Sequence, residues 1–563
     1  MSTLFLKTKT IAYYMVLSDN QLLYSQALDN AAWTATTMTL TSGQTDPSAG
    51  TDAYTLTATG PNATLLQSVV LDDNLQRTFS IYLKRKTGTG NISITVDGAT
   101  YSVETTTGAW ARFDTTLTAS GTVTCGVKIT TSGDEVYAAW AQLEDGDEAT
   151  TYSETGANRY TVTQVTDTDY PANTVRGCAY LDGRVFVMTP VGEIYQSAIE
   201  DASSWAALDF IQSQKDADAG VYLGKYQEYV VPFKEFSVDF FYDAANDTGS
   251  ILSPVANMTF SVGCAHENSV KDMAGTLVWL GQTRDGFGRG VFRINGNQPE
   301  KISTPQLDKI LDADDLATVY SWTAKVGAHL LYGITLGTSA VTLVYDFTTS
   351  VWSFFTYLAS SGSPTAPTAI TATGVVTSTA HGYSDGAIIK VASTNADFNG
   401  WHVVEYVDAN TYNIQATGTA FSGTGSVQKY VEGIYPVIAS TSCGGRQWMQ
   451  DATSGALYEF DQSLYADEIG AIAARVRTPK FDGGSTSRKT MGWAEVVGDK
   501  IASYACVRWT DDDYATWSKF RSVDLDLNRS RVRRLGNYNR RAFEVLHVKD
   551  ANFRIEALEI QEV

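Results

Sequence analysis

The stretch LDGRVFVMTPVGEIYQS, residues 181–197, contains a hydrophobic run, a turn with proline and glycine, and a second run that ends in aromatic and polar residues. β-Branched and aromatic residues favour strands, whereas proline and glycine favour the turn between them. The pattern therefore predicts a β-hairpin.

The same pattern recurs along the chain. Further copies are KYQEYVVPFKEFSVDFFYD at 225–243, GTLVWLGQTRDGFGRGVFRING at 275–296, GAHLLYGITLGTSAVTLVYDFTTSVWSFF at 327–355, GRQWMQDATSGALYEFD at 445–461 and KTIAYYMVLSDNQLLYSQ at 9–26. The four copies between residues 181 and 355 are spaced by about 44, 51 and 51 residues, near the ~40–50-residue period of propeller blades. The remaining spacings fit only if two segments are insertions.

The domain prediction follows from this repeat. We expect an all-β chain in which six copies form a six-bladed, propeller-like body, within the usual range of 4–8 blades. An alternative stays open, because any β-rich chain produces hairpins at such intervals. The predicted segments are 1–26 (first blade), 27–157 (inserted β-sandwich), 158–362 (blades), 363–429 (inserted small β domain), 430–472 (last blade) and 473–563 (C-terminal β-sandwich).

Two local features accompany this prediction. SGSPTAPTAITATG, residues 361–374, has the composition of a linker into the second insertion. STPQLDKILDADDLA, residues 303–317, predicts a short helix that runs from Pro305 to Ala317. Serine or threonine before Pro305 suits an N-cap, and proline suits the first helical turn.

The charge is acidic and uneven. The formal net charge is −21, yet residues 475–563 hold 17 Lys and Arg against 13 Asp and Glu. A strongly acidic body argues against gripping nucleic acid through its phosphates. It is compatible with DNA passing through the protein, because a like-charged wall repels a duplex without binding it.

Cysteine use and hydropathy indicate the kind of cellular compartment in which the protein is made. The five dispersed cysteines include no CxxC pair, which is typical of reduced core cysteines. We see no signal peptide and no apolar run of the ~18 residues needed to span a bilayer. We therefore expect a reducing compartment, or release from one by lysis.

No catalytic, cofactor or metal constellation is recognisable. The five histidines show no HxH, HExxH or Hx3–5H spacing, and GxSxG and GxxxxGK[ST] motifs are missing. Asp511, Asp512 and Asp513 form an acidic run between two strand patterns, and we interpret it as a solvated hairpin tip. We expect no enzyme, no cofactor and no metal.

Several stretches carry a family resemblance. They are AYLDGRVFV at 179–187, SAIEDASSWAALDF at 197–210, FKEFSVDFFYDAAN at 233–246, the hairpin-to-helix stretch at 275–311, and RVRRLGNYNRRAFEVLHV at 531–548. Together they resemble the packaged-DNA stabilisation family, the tail nozzles (tail tubular proteins) of short-tailed bacteriophages.

The resemblance implies a structural virion protein of the tail, assembled in the host bacterial cytoplasm. It implies a homo-hexameric ring below the portal and its adaptor that retains packaged DNA and forms the ejection conduit. The implied partners are further copies of the chain, the portal adaptor, a plug or needle, fibres or spikes, and double-stranded DNA passing through without sequence-specific binding.

The first insertion has its own resemblance. SQALDNAAWTATTMTL at 25–40, RTFSIYLKRKTG at 77–88, GAWARFDTTLT at 108–118 and VYAAWAQLEDGDEATTYSET at 136–155 resemble carbohydrate-binding jelly-roll modules of phage structural proteins. An aromatic ring on a rigid face can stack on a sugar. Trp33 and Trp110 are the candidate glycan contacts, whereas Trp140 is expected in the core. Each of the two also fits a structural role, and a decoration that binds no sugar stays open.

The second insertion resembles a small β domain of phage tail proteins, through TSTAHGYSDGAIIKV at 377–391 and FNGWHVVEYVDANTYNI at 398–414.

An arginine cluster lies near the C-terminus. Its members are Arg529, Arg531, Arg533, Arg534, Arg540 and Arg541. Alternation in RSRVRR would place arginines on one face of a strand. Because the rest of the chain is acidic, contact with a neighbouring subunit is favoured over contact with DNA or a solvated face.

Two other functions stay open beside the nozzle. The chain would be a tail appendage or receptor-binding protein if the jelly-roll insertion binds a host surface glycan. It would be an enzyme if the isolated chain degrades polysaccharide, which the missing catalytic residues disfavour.

Overall fold

The computed structural model describes residues 3–214, 216–285, 288–422, 425–468 and 470–562. Nearly all regular structure in this part of the chain is β-strand, which confirms the all-β prediction. The chain divides into two compact units. One comprises Met1–Gln214, Glu228–Val230 and Phe241–Pro254, and the other comprises Lys215–Gln227, Val231–Phe240 and Val255–Val563.

The N-terminal sheet is completed only after the first insertion. Strands β1 (Thr3–Lys7) and β2 (Ala12–Leu17) pair antiparallel. The predicted second strand of this copy, within residues 20–26, is not formed. Leu22 instead packs in the core of the inserted sandwich, and the Asn20 amide donates to the carbonyls of Ala141 (3.0 Å) and Ser153 (2.9 Å).

The insertion is an eight-stranded sheet around one hydrophobic core. Its strands are β3 (Trp33–Thr36), β4 (Met38–Gln44), β5 (Ala53–Ala58), β6 (Ala63–Thr87), β7 (Ile92–Thr95), β8 (Ser102–Glu104), β9 (Ala111–Ile129) and β10 (Glu135–Asp145). The long strands β6 and β9 pair along their length with a register shift between Leu71 and Leu75, and such a bulge bends a strand. Strand β11 (Tyr160–Gln164) then pairs with β2.

Two four-stranded sheets follow in sequence. Their strands are β12 (Ala179–Leu181), β13 (Arg184–Met188), β14 (Glu193–Ala198) and β15 (Asp201–Gln212), then β16 (Gly220–Tyr226), β17 (Tyr229–Lys234), β18 (Val238–Asp243) and β19 (Leu252–Phe260). The hairpin predicted from residues 181–197 is β13 paired with β14.

The next sheet contains the hairpin predicted from residues 275–296. Its strands are β20 (Gly263–Cys264), β21 (Lys271–Met273), β22 (Thr276–Gln282), β23 (Arg289–Asn295) and β24 (Gln298–Lys301), and the short 3-10 helix Glu267–Ser269 lies between the first two. Strands β22 and β23 pair as expected. The middle of their predicted glycine-rich turn, Gly286 and Phe287, lies outside the described residues.

The one α-helix of the described chain is shorter than predicted. Helix α1 (Pro305–Ala313) ends before Ala317, because Asp314 is already extended. Thr304 is the N-cap residue but its side chain makes no capping hydrogen bond. The Ser303 hydroxyl instead donates to the Asp308 carboxylate (2.6 Å). No helix among the described residues is long and apolar enough to cross a membrane.

The second insertion shares a sheet with the fifth blade-like group. Strands β25 (Val319–Val326), β26 (His329–Leu336), β27 (Val341–Asp346) and β28 (Val351–Thr365) are followed by β29 (Ala369–Ile370), β30 (Val375–Thr377), β31 (Ile388–Ser393), β32 (Gly400–Val403), β33 (Glu405–Asp408), β34 (Thr411–Asn413) and β35 (Gly425–Ile434), with the 3-10 helix Ala396–Phe398 after β31. Because β28 pairs with β35, the first part of the predicted linker is strand and not linker.

The remaining strands form a small sheet, a short hairpin and a two-sheet C-terminal segment. They are β36 (Val437–Cys443), β37 (Arg446–Asp451), β38 (Leu457–Glu459), β39 (Ala466–Asp467), β40 (Gly470–Ala471), β41 (Ala474–Arg477), β42 (Lys489–Gly498), β43 (Tyr504–Thr510), β44 (Arg521–Asp524), β45 (Ser530–Tyr538), β46 (Ala542–His547) and β47 (Ile555–Glu562). The C-terminal sheets, ordered β41-β46-β43-β44 and β45-β42-β47, enclose a core that includes Met491, Val507 and Phe543.

Consecutive blade-like sheets share cores. Val165 of the N-terminal sheet region packs with Val187 and Trp205 of the next sheet. Further along, Leu280 and Ile334 from neighbouring sheets pack in one core with α1. Trp322 and Met449 join the fifth and sixth groups. Side chains from successive sheets thus interdigitate, as in stacked β layers.

The cysteine prediction holds for three residues. Cys125, Cys264 and Cys506 are buried and unpaired, Cys178 is half-buried, and Cys443 is exposed. Cys443 ends β36 next to Gly444 and Gly445, both of which have positive φ. Its position in a tight turn explains why it is not a core residue.

Candidate interaction surfaces

The arginine-rich strand β45 does not present all its arginines to one side. Arg531 lies over the Trp493 ring, 3.7 Å from its centroid, and pairs with Glu495 at 2.5 Å. Arg529 approaches the same carboxylate at 3.9 Å. Both guanidinium groups therefore contact one carboxylate inside the C-terminal segment.

Arg540 and Arg541 pair with the acidic run at the tip after β43. Arg541 is 1% exposed and makes a two-pronged contact with the Asp511 carboxylate at 2.7 and 2.8 Å. Arg540 lies 3.8 Å from Asp513, which also pairs with Lys480 at 2.9 Å. The tip is therefore an ion-paired turn and not simply a solvated one. Burial makes Arg541 unavailable for the predicted contact with a subunit or DNA.

Arg533 and Arg534 are different, because both side chains are exposed. The register of β45 against β42 shifts here: Trp493 faces Arg533, whereas Met491 faces Gly536. Arg534 has a φ of +60°, in the left-handed region, where non-glycine residues are uncommon. The shift is a β-bulge, and it brings two adjacent arginines to the surface.

Arg521 supports this bulge. Its guanidinium donates to the carbonyl oxygens of Arg533 (2.8 Å) and Arg534 (3.5 Å) and lies 4.7 Å from the Trp509 ring centroid. We call Arg521, Arg533 and Arg534 the arginine bulge. Within the described part of the chain, none of the three forms an ion pair.

A cavity of about 380 Å³ lies beside the last blade-like sheet. Four aromatic side chains line it: Tyr357, Tyr435, Tyr458 and Phe460. Five carboxylates also line it: Asp451, Glu459, Asp461, Asp467 and Glu468. No Lys, Arg or His is found among the described lining residues. We call this cavity the acidic pocket.

Among the described residues, four of its five carboxylates form no ion pair, the exception being Glu459. Burial raises the pKa of Asp467 to about 6, and no hydrogen bond to this carboxylate is found among the described residues. Glu468 accepts a hydrogen bond from Tyr458, which raises the pKa of that phenol. By contrast, Glu459 has Arg446 at 3.4 Å. The pocket thus holds a desolvated negative charge that the described chain leaves unmatched.

The predicted glycan contacts in the inserted sandwich have unequal surroundings. Trp33 is 6% exposed, and its indole N–H donates to the Tyr24 carbonyl at 3.1 Å. Its ring is therefore not accessible as a stacking platform. Trp110 is half-buried beside Tyr137, with ring centroids 6.3 Å apart. Lys84 and Lys86 lie 5.6 and 5.5 Å from the Tyr137 centroid.

Trp140 is half-buried and does not lie in the core as expected. It has a φ of +56° and stacks on Tyr152 at a centroid distance of 5.6 Å. The interruption of regular pairing between β10 and β6 after Ala139 accounts for this position.

Sequence reasoning missed a polar cavity of about 280 Å³ in the same domain. It includes Tyr24, Tyr54, Asp52 and Glu154. The Tyr54 hydroxyl donates to Asp29 at 2.8 Å, and burial together with Asp29 raises the pKa of Tyr54 to about 12. Because these residues come from three separate segments, no local motif could have indicated the cavity.

A metal site is not formed by the described residues, since no group of three or more His, Cys, Asp or Glu side chains is suitably placed. The absence of a cofactor stays a prediction.

The consecutive antiparallel sheets with shared cores are typical of a β-propeller-like body. Residues 117–378 match the family model of the bacteriophage P22 Gp10 β-propeller, the phage stabilisation family. This match confirms the resemblance to the packaged-DNA stabilisation family and supports a phage structural protein. Residues 531–548 lie outside the matched range, so their resemblance stays a prediction.

Other comparisons gave distant similarities. No curated protein matches the chain. The CBM22-1 xylan-binding domain of Paenibacillus barcinonensis Xyn10C is 14% identical over 26% of this chain and 99% of its own, with a TM-score of 0.19. The dihydro-heme d1 dehydrogenase NirN is 12% identical over 65% and 68%, with a TM-score of 0.24. An exo-β-1,3-galactanase of Phanerochaete chrysosporium is 10% identical over 70% and 97%, with a TM-score of 0.22.

Proposed function

We propose that this chain is the nozzle subunit of a short phage tail. Six copies form a ring below the portal and its adaptor, retain the packaged DNA and provide the conduit for ejection. The observation that carries the proposal is the match of residues 117–378 to the phage stabilisation β-propeller. A plug or needle and fibres or spikes are the further partners, and the site of action is the virion tail.

Electrostatics supports a conduit. The chain has a net charge of −21, and most arginines of its basic C-terminal cluster are matched by carboxylates of the same segment. Binding to DNA depends on cations that replace the counterions of phosphates. A ring built from such subunits repels the duplex from its wall and lets it slide. The protein therefore works by assembly and geometry, without catalysis.

The purified full-length protein, alone and mixed with its adaptor, tests the proposal. Mass measurement should give six copies, and negative-stain images should show sixfold rings with an axial opening. A closed ring requires a heterologous interface, in which two different faces of the subunit meet. A protein that is monomeric alone and never joins a tail complex contradicts the proposal.

A receptor-binding role is the second candidate, favoured by the 280 Å³ cavity of the inserted sandwich. Its carboxylates Asp52 and Glu154 are exposed and suit a host glycan, since polar groups at such a site bind sugar hydroxyls. Trp110 and Tyr137 offer an aromatic surface. Glycan-array binding that is lost in Asp52→Ala or Trp110→Ala supports this role. Binding that is unchanged in both variants, or no binding by the wild type, contradicts it.

A further inference from the structure

The arginine bulge and the acidic pocket are opposite in charge. Within the described chain the bulge forms no ion pair, and four of the five pocket carboxylates, all but Glu459, form none. Both belong to the same compact unit. Exposed unpaired arginines are individually ordinary. Here three of them lie together at one bulge. The Arg521 guanidinium donates to the main-chain carbonyls of Arg533 and Arg534, and these hydrogen bonds fix the position of the group. β-Bulges often re-aim side chains at functional sites.

The acidic pocket has the chemistry of an arginine receptor. Its tyrosine and phenylalanine rings can lie against a guanidinium, an attraction that strengthens when water is excluded. Its carboxylates can accept the parallel N–H donors of the same group. The mouth is open to solvent, because Tyr458, Leu464 and Ile472 on its rim are 37%, 54% and 39% exposed.

Exposed apolar side chains also lie next to the mouth of the pocket. Leu457 is 62% exposed and Tyr465 is 37% exposed, close in sequence to the lining residues. Exposed apolar patches with a polar surround are typical of protein contacts. The combination of apolar rim and half-buried carboxylate, that of Asp467, therefore suits a protein side chain better than a small hydrophilic ion.

We propose that the acidic pocket of one copy receives the arginine bulge of a second copy, through Arg533 and Arg534. This inference rests on the proposed function, because a closed ring requires two different complementary faces on every subunit. Charge complementarity selects the second copy: the chain is acidic overall, and the bulge is a basic cluster that forms no ion pair among the described residues. Arg521 acts as a positioning residue that holds the bulge.

A charge-swap experiment on the full chain tests the contact. One variant carries Arg533→Glu and Arg534→Glu, and the other carries Asp467→Lys and Glu468→Lys. Each variant alone places like charges in contact, so its association should weaken at least about 30-fold. Mixed in equal amounts, the two variants should regain assembly, because a ring with alternating subunits pairs opposite charges at every interface.

The controls separate folding from association. Two single-site controls, Arg488→Glu and Asp526→Lys, make the same kinds of charge reversal at exposed positions outside both surfaces. Both should assemble like the wild type. Because Asp467 is half-buried, Asp467→Asn with Glu468→Gln provides a milder pocket variant that should weaken assembly less. Circular dichroism and thermal unfolding establish that each variant is folded, and mass photometry measures assembly with and without the adaptor.

The outcomes separate this inference from the proposed function. If the wild type forms sixfold rings and both charge reversals do so equally well, the contact is wrong while the nozzle stands. If reversal of the bulge abolishes binding to a labelled DNA duplex and leaves the rings intact, the bulge is a DNA contact and the inference is overturned. If the wild type never assembles, with or without adaptor, both proposals fail.

Discussion

At the scale of single residues, burial decides which charged groups are structural and which are free to act. Arg541 and Arg533 are eight positions apart in one arginine-rich stretch, yet the first is 1% exposed and paired with Asp511, whereas the second is exposed and unpaired. The sequence identified the cluster. The sequence could not show which arginines of the cluster are paired, because the partners Glu495 and Asp511 come from other segments of the chain.

Arg541→Ala should destabilise the protein. The substitution removes a two-pronged ion pair and leaves a cavity beneath Tyr538, whose ring centroid lies 4.8 Å from the guanidinium. Because Asp511 is partly exposed and can be hydrated, we expect a loss of about 2–3 kcal/mol in the free energy of unfolding, at the low end for broken buried pairs. Urea unfolding followed by tryptophan fluorescence measures it. Arg533→Ala is the matched control, and an equal loss in both variants would contradict the assignment.

Asp467 should make stability depend on pH. Its pKa is about 6 in the folded chain, against about 3.8 for a freely solvated aspartate. Between these values the folded state retains a proton that the unfolded state has released, so the free energy of unfolding falls as pH rises from about 4 to about 6. Asp467→Asn should remove this fall, a gain on the order of 1–2 kcal/mol at pH 7.

Thermal unfolding of dilute, unassembled protein at several pH values measures this effect. The exposed Asp526→Asn serves as the control and should follow the wild type. If the unfolding temperature of Asp467→Asn instead changes with pH in parallel with that of the wild type from pH 4 to pH 7, the Asp467 carboxylate is not desolvated as described.

At the scale of elements, local pattern predicted hairpins and missed pairings between distant segments. The hairpins β13–β14 and β22–β23 form where hydrophobic runs flank turns. The pairing of β2 with β11 and of β28 with β35 could not be predicted, because each joins strands on opposite sides of an insertion. The acidic pocket was missed for a related reason: its walls combine β28, β36, β37, β38, β39 and the loop between the last two.

Gly333 in β26 should be intolerant of a side chain. It pairs across the sheet with Trp322, and a Cβ atom here would lie 2.1 Å from the indole ring. Trp322 is fully buried and its ring contacts Phe355, Tyr435 and Phe460, so a shift of the indole would disturb these rings as well. Gly333→Ala should therefore cost at least about 3 kcal/mol, the upper range for overpacking.

Thermal unfolding checks this expectation, with Gly108→Ala as the control because nothing lies within 4 Å of the Cβ position there. The control should unfold within a degree or two of the wild type. A stable Gly333→Ala protein with unchanged tryptophan fluorescence would show that the core around Trp322 is looser than described.

At the scale of the whole molecule, charge distribution connects the fold to the proposed conduit. A protein that holds DNA by phosphate contacts needs several free cations on one surface. Here the basic C-terminal segment uses Arg529, Arg531, Arg540 and Arg541 on its own carboxylates. The excess of acidic residues is left for the remaining surface, so in the proposed nozzle we expect DNA to be retained by enclosure and a closed lower end and not by adhesion.

The free chain should therefore bind duplex DNA very weakly. At about 150 mM salt we expect a dissociation constant above about 0.1 mM, at or beyond the weak end for non-specific binding. Fluorescence anisotropy of a labelled duplex, titrated at two salt concentrations, measures it. The Arg533→Glu, Arg534→Glu variant should behave like the wild type, because the bulge is assigned to a second copy. Micromolar binding that weakens steeply with salt would show that a cationic surface grips the phosphates, and a conduit that works by repulsion would then be excluded.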